Sequence, residues 1–134
     1  MTQEDKQLLL ANLSARLPYG VKIRIIHHEI KGADPEYVDD VFSTTYYNMI
    51  DYDDDNYEFL PYLRPISSMT EEEKKEYDNL YYNAPQFKDG WRDAKYLEGL
   101  HIDWLNKHHF DYHRLIEKGL ALEAPEGMYN VNEK

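Results

Sequence analysis

The sequence contains no cysteine and no long apolar segment. Without cysteine the chain has no disulfide bonds, no thiolate nucleophile and no zinc site that uses sulfur, so any metal would need histidine and carboxylate ligands. No apolar run approaches the roughly 20 residues that span a bilayer, and the N-terminus does not read as a signal peptide. We therefore expect a soluble, cytoplasmic protein that has no membrane partner.

Basic residues are much less frequent than acidic residues. The chain has 26 acids against 15 bases and a formal net charge of −11. A nucleic-acid surface needs clustered lysine and arginine, so this balance argues against broad nucleic-acid binding and favours a partner protein with a basic surface. The acids concentrate between Glu29 and Glu58, where Lys31 is the single base.

Glycine-rich motifs and nucleophile motifs are also missing. The six glycines are scattered, so no phosphate-binding loop exists, and no serine lies in a GxSxG motif. The sequence therefore predicts no cofactor and favours a protein without catalytic activity. A hydrolase that depends on histidine and aspartate remains an alternative.

The N-terminal half predicts one helix and several strands within a single domain, residues 1–134. Thr2 and Asp5 have the spacing of a capping box, and leucines recur at helical spacing up to Pro18. The alternation in VKIRI predicts a strand from Val21 to His27. Residues 37–60 favour two or three further strands joined by an acidic turn, and the two prolines in residues 61–69 indicate a connector.

The C-terminal half predicts helices. Thr70 and Glu73 form a second capping box, which opens a predicted helix over residues 71–82. We expect Thr70→Ala to cost about 0.5–2 kcal/mol and Glu73→Ala to cost less. A stripe of apolar and aromatic residues predicts a helix from about residue 93 to residue 107. Asp111 is then expected to cap a short helix over residues 112–118, with Gly119 at the C′ position that follows it. The predicted fold class is α+β: an N-terminal helix and two to three C-terminal helices packed on a small, mainly antiparallel sheet.

Three phrases in the sequence resemble a family of small proteins from gut Bacteroidales and from the tailed phages and prophages that infect them. These phrases are LLLANLSARLPYGV, PYLRPISSMTEEEKKEY and DWLNKHHFDYHRLIEKGLALEAPEGMY. The chain departs from the family pattern at His108, His113 and Arg114, and the acidic middle segment is not part of the resemblance. Because the family has no assigned activity, the resemblance implies a phage or mobile-element setting and not a mechanism.

Two segments resemble metal sites without completing one. The stretch from His101 to Arg114 contains four histidines and two aspartates, but a helix end followed by a cap would point these side chains in different directions. In DYDDDN, three aspartates occupy alternate positions of a calcium loop, whereas the required glycine and the final glutamate are replaced by Asn56 and Tyr62. We therefore predict no metal site at either segment.

These observations favour a non-catalytic binding protein that acts on a host or phage protein, for example as an acidic nucleic-acid mimic that inhibits a defence system. If the acidic segment is the docking face, charge reversal at Asp53, Asp54 and Asp55 should slow association with the partner protein. The predicted docking residues are Asp51, Tyr52, Asp53, Asp54, Asp55 and Tyr57. An alternative is a sponge that holds a nucleotide messenger between aromatic rings and an arginine. The predicted ligand-binding residues for that alternative are Arg64, Trp104, His109, Asp111 and Tyr112.

Overall fold

The chain has the α+β architecture that the sequence predicts. The structure is a computed structural model that describes residues 1–28, 34–52, 56–83 and 94–129. The elements in these ranges are α1 (Gln3–Arg16), β1 (Lys22–His27), β2 (Glu36–Val41), α2 (Thr44–Asp51), β3 (Tyr57–Leu63), α3 (Glu71–Asn83), α4 (Ala94–Lys107) and β4 (Leu122–Glu123). No helix within these ranges is both long enough and apolar enough to cross a bilayer.

The sheet has the strand order β2-β1-β3-β4 and is mainly antiparallel. Strand β1 runs antiparallel to both β2 and β3, and its residues Ile23 and Ile25 are buried. The short strand β4 pairs in parallel with the end of β3, where Tyr62 lies opposite Leu122. Strand β2 therefore forms one edge of the sheet.

Two hydrophobic clusters hold the helices. The larger one joins leucines of α1 to buried residues of β1, α2 and β3, and it is completed by Leu115, Leu120 and Ala121 from the C-terminal segment. The smaller cluster packs α4 against α3 through Trp104, Leu105 and Phe110. Both predicted capping boxes are present, since Thr2 accepts a hydrogen bond from the Asp5 amide and Thr70 accepts one from the Glu73 amide.

Helix α2 replaces one of the strands predicted for residues 37–60. Its sequence TTYYNMID is rich in residues that favour strands. However, Tyr46, Met49 and Ile50 recur at steps of three and four and contact the main core, and α2 packs against α1. Burial of this helical face outweighs the local preference for a strand.

Strand β3 continues through Pro61, so the prediction that residues 61–69 form only a connector is wrong for its first three residues. The hydrogen bond from the His28 amide to the Asn56 carbonyl (2.7 Å) fixes which β3 residues bond to β1. By alternation Pro61, opposite Ile23, lies in a pair without hydrogen bonds, so its missing N–H is not needed by β1. The connector itself begins at Pro65 and contains a 3-10 turn at Ile66–Ser68.

The predicted short helix after Asp111 is a turn at residues 115–119. Arg114 has a left-handed backbone (φ 58°), which interrupts any helix that starts at Tyr112. The Asp111 carboxylate caps the later turn by accepting hydrogen bonds from the amides of Leu115 (2.8 Å) and Ile116 (3.0 Å). Asp111 is thus a cap, as predicted, but the turn begins further along the chain.

Candidate functional site

The acidic segment predicted as the docking site is divided between different environments. Asp51 ends α2, and its carbonyl accepts a hydrogen bond from Lys6 Nζ (2.7 Å). Tyr52 is 85% exposed, whereas Tyr57 is half-buried and stacks on His27 with ring centroids 4.4 Å apart. The three remaining docking residues, Asp53, Asp54 and Asp55, lie outside the described residues.

A second acidic surface lies on the edge strand, which belongs to the acidic segment from Glu29 to Glu58 but contains none of the predicted docking residues. We define the β2 edge as Glu36–Val41, a strand in which all six residues are exposed. Three of its residues are acids and none is a base. Its exposed apolar residues are Tyr37 (60% exposed), Val38 (58%) and Val41 (47%). An edge strand that exposes both acids and large apolar side chains has the composition of an interaction surface.

Asp40 on the β2 edge is held in place from within the chain. Its carboxylate accepts hydrogen bonds from the Tyr46 hydroxyl and from the Val41 amide (2.7 Å). The hydrogen bond from Tyr46 lowers the pKa of Asp40 below its ordinary value, and the bond from the Val41 amide lowers it further. Asp40 therefore presents a fixed negative charge at neutral pH.

Asp39 points to the opposite face of the sheet and is also fixed. The Tyr62 hydroxyl donates to its carboxylate (2.8 Å), and Arg24 Nε lies 3.6 Å away. The guanidinium of Arg24 also stands over the rings of Tyr37 and Tyr62, each 5.6 Å from the ring centroid. Arg24 thus offsets part of the charge on this face, so the more negative face is the one that bears Glu36 and Asp40.

The four histidines between His101 and Arg114 occupy separate environments. His101 donates from Nδ1 to the Leu97 carbonyl (2.8 Å), and His113 Nδ1 lies 3.3 Å from Asn12 Oδ1. His108 lies between Glu73 and Glu76, at 3.6 Å from each, and burial lowers its pKa despite these carboxylates. His109 is buried on the other side of the helix end, against Tyr129.

Arg64, the cationic residue of the nucleotide-messenger alternative, forms a buried bidentate ion pair with Glu73. The two hydrogen bonds measure 2.8 and 2.7 Å, and the guanidinium lies 4.2 Å from the Phe110 ring centroid. Burial acts to raise the pKa of Glu73, but hydrogen bonds from Arg64 and from the Thr70 amide, with the charge of Arg64, lower it below its ordinary value. The guanidinium of Arg64 therefore already has a carboxylate partner.

The other four residues of that alternative also have partners within the chain. Trp104 Nε1 donates to Glu76 (2.8 Å), and the Tyr112 hydroxyl donates to Asn106 (2.8 Å). Asp111 caps the turn described above. The structure therefore brings these residues to one end of α4, where each of them has a contact that stabilises the fold.

His109 occupies a position that usually requires glycine. It follows the end of α4 with a left-handed backbone (φ 62°). Its amide donates to the Asn106 carbonyl (3.1 Å) and the Phe110 amide donates to the Leu105 carbonyl (2.9 Å), which is the pattern of a Schellman cap. Burial lowers the pKa of His109 to about 4, so the ring is neutral at pH 7.

Arg16 lies next to this cap and is fully buried. Its guanidinium donates to Asn12 Oδ1 (2.9 Å) and to the Phe110 carbonyl, and it stands over the Tyr112 ring at 5.3 Å from the centroid. Burial lowers the pKa of Arg16. No local pattern in the sequence pointed to this arginine. The arginine ties α1 to the segment that follows α4, which is a structural role.

In the described ranges no three histidine or acidic side chains are arranged so that they could hold a metal ion. Two of the aspartates of the calcium-like loop, Asp53 and Asp55, fall outside those ranges. A cleft of 590 Å³ is lined by Ser67, Ser68, Thr70 and Glu123 among others. Arg64 also lines this cleft, but its charge is paired with Glu73.

No protein-family model, no curated protein and no solved structure matches this chain. The β2 edge is therefore assigned as the candidate site on its geometry and charge alone.

Proposed function

We propose that the chain is a non-catalytic binding protein whose partner is a protein with a basic surface, and that the β2 edge is its docking site. The observation that supports this most directly is the edge strand itself, in which six consecutive exposed residues combine three acids with three large apolar side chains. Acids supply long-range attraction to a basic partner, and the apolar side chains supply area to bury on contact.

The catalytic alternatives receive less support. A hydrolase needs a histidine and a carboxylate that face an open site, whereas His109 is buried against Tyr129 and His108 is partly buried between Glu73 and Glu76. The phage setting implied by the resemblance would make the partner a host protein. In that setting the acidic edge would compete with nucleic acid for the basic surface of a host defence protein.

The proposal is tested with variants that remove the charge while keeping the size of each side chain and one oxygen acceptor. The edge variant replaces its three acids by their amides: Glu36→Gln, Asp39→Asn and Asp40→Asn. A control variant makes the same charge change at exposed acids elsewhere: Glu98→Gln, Glu117→Gln and Glu126→Gln. Partners are captured from bacterial host lysate on the immobilised wild-type chain, identified by mass spectrometry and purified, and association rates are then measured at several salt concentrations.

The expected result is slower association with rising salt, because the Debye length is about 8 Å at physiological ionic strength. At low salt the edge variant should associate about tenfold more slowly than the wild type, within the range that electrostatic steering gives, and the control variant should change little. Equal slowing in both variants would mean that net charge matters and the edge does not. A third variant, Asp53→Asn with Asp54→Asn and Asp55→Asn, tests the segment predicted from the sequence in the same assay.

A further inference from the structure

Along the β2 edge, residues whose backbone N–H and C=O groups bond to β1 alternate with residues whose backbone groups point outward, away from β1. The Phe42 amide donates to the Val21 carbonyl (2.9 Å), which makes this a hydrogen-bonded pair of the antiparallel ladder. The register then places Glu36, Val38 and Asp40 in hydrogen-bonded pairs with β1. The N–H and C=O groups of Tyr37 and Asp39 therefore point outward.

These outward groups have no hydrogen-bond partner in the part of the chain that the structure describes. Val41 lies at the next outward position, but its amide donates to the Asp40 carboxylate, so the side chain closes that end of the strand. The register between β1 and β2 continues over six pairs without a bulge. Among the described residues this edge is regular and nothing pairs with it, and an edge of this kind can accept one more strand.

The charge of the β2 edge selects among the strands that could be added. The more negative face bears Glu36 and Asp40 with Val38 between them, and the other face bears Tyr37, Asp39 and Val41. A second copy of β2 would bring acids opposite acids, which destabilises a strand pair. A strand with basic residues facing Glu36 and Asp40 would make favourable cross-strand pairs instead.

We infer that the β2 edge binds its partner by strand addition: an extended, lysine- or arginine-bearing segment of the partner protein pairs with the backbone of Tyr37 and Asp39. This inference rests on the proposed function and specifies its binding mode. Basic side chains that alternate along the segment meet Glu36 and Asp40, and the intervening side chains pack against Tyr37 on the other face.

The test uses two synthetic peptides of about seven residues, a usual strand length. In the first, lysine alternates with threonine, so that all lysines share one face of a strand. In the second, proline replaces every threonine, which keeps the charge but removes alternate amide donors and disfavours a strand. Each peptide is added at millimolar concentration to the full chain, and backbone amide shifts and amide hydrogen exchange are followed by NMR.

We expect the threonine peptide to shift the amides of the β2 edge, to slow hydrogen exchange at Tyr37 and Asp39, and to bind about tenfold more tightly than the proline peptide. Equal binding of the two peptides at the β2 edge would overturn strand addition while leaving the acidic docking site in place. If neither peptide shifts the β2 edge, both the docking site and the binding mode are overturned.

A pair of variants at one position separates the backbone from the side chain. Tyr37→Pro removes an outward N–H that β1 does not use, and a proline is tolerated at such an edge position. Tyr37→Ala removes the same ring but keeps the N–H. The tenfold preference for the threonine peptide should persist in Tyr37→Ala and disappear in Tyr37→Pro. A preference that survives in Tyr37→Pro, with shifts at the other β2 amides showing an intact sheet, would contradict the inference.

Discussion

Removing the carboxylate of Glu73 should destabilise the fold more than removing the hydroxyl of Thr70, although the two residues form one capping box. Glu73 accepts hydrogen bonds from the Thr70 amide (3.0 Å) and from both terminal nitrogens of Arg64. The Arg64 and Glu73 side chains are only 10% and 7% exposed. The capping glutamate is therefore also the counter-ion of a buried guanidinium.

The magnitudes follow from these contacts. Glu73→Ala leaves Arg64 buried without its carboxylate, and breaking a buried pair in this way costs about 3–5 kcal/mol. Thr70→Ala loses one capping bond, which costs about 0.5–2 kcal/mol. This order is the reverse of the one expected from the capping box alone. Against a total stability of about 5–15 kcal/mol, the loss at Glu73 is large.

Urea denaturation measures both changes as shifts of the midpoint at constant slope. Glu73→Gln is the matched control, because it keeps an acceptor for the Thr70 amide while removing the charge. Its loss of stability should lie between the losses of Thr70→Ala and Glu73→Ala. Replacing both partners, Arg64→Met with Glu73→Leu, should recover much of the loss, since no unpaired charge remains. If Glu73→Ala lowers the midpoint no more than Thr70→Ala does, the carboxylate of Glu73 does not stabilise the buried guanidinium of Arg64.

The same ion pair makes stability depend on pH. The pKa of Glu73 is lower in the folded chain than its ordinary value, so its contribution is present above the ordinary glutamate pKa of about 4.3. That contribution is lost as the pH falls through the lower, folded value. The difference in stability between the wild type and Glu73→Gln should therefore shrink on acidification below about pH 4.

Two further predictions concern the end of α4 and the C-terminal segment. Because burial lowers the pKa of His109 to about 4, stability should fall by on the order of 3 kcal/mol between about pH 6.5 and pH 4 as the unfolded state takes up a proton. His109→Asn, which tolerates the left-handed backbone, should flatten that part of the stability curve, and an unchanged curve would rule out His109 as its source. Tyr129→Phe removes a hydroxyl that accepts from the Lys22 amide and donates to the Tyr62 carbonyl, and thermal denaturation should show a loss of about 1–3 kcal/mol. Burial raises the pKa of Tyr129 to about 12, so Tyr129→Phe should also remove the phenol that ionises last in an ultraviolet titration, and persistence of that step would assign it to another tyrosine.

The elements with local signals were predicted well. Strand β1, helix α3 and helix α4 lie close to their predicted bounds, because a capping box or a clear hydrophobic period marks each one. Helix α2 was missed because its residues favour strands, and its helical face is stabilised by contacts with the main core and with α1. The continuation of β3 through Pro61 was missed because it depends on which side of the strand the hydrogen bonds use.

Of the candidate site at the β2 edge, the sequence predicted the acidic character but not the residues. The acidic segment from Glu29 to Glu58 does contain the β2 edge, but the prediction placed the docking residues around the aspartates of DYDDDN. The stretch EYVDDV lacks the apolar alternation of a half-buried strand, and that lack could have indicated an edge strand exposed on both faces. The pairing of Arg64 with Glu73 and the stacking of His109 on Tyr129 join different segments of the fold, so the burial of Arg64 and His109 could not be read from local patterns.

The contact between Arg16 and Phe110 has a consequence for synthesis on the ribosome. The arginine and the carbonyl it bonds are 94 positions apart, and the main core also needs Leu115, Leu120 and Ala121. At about 5–20 residues per second, α1 would wait roughly 5–20 s for these groups to be made. During that time the apolar face of Leu9 and Leu13 has only part of its core to pack against. Nascent chains stalled before Phe110 should therefore bind chaperones that recognise exposed apolar helices, and full-length chains released from the ribosome should dissociate from them.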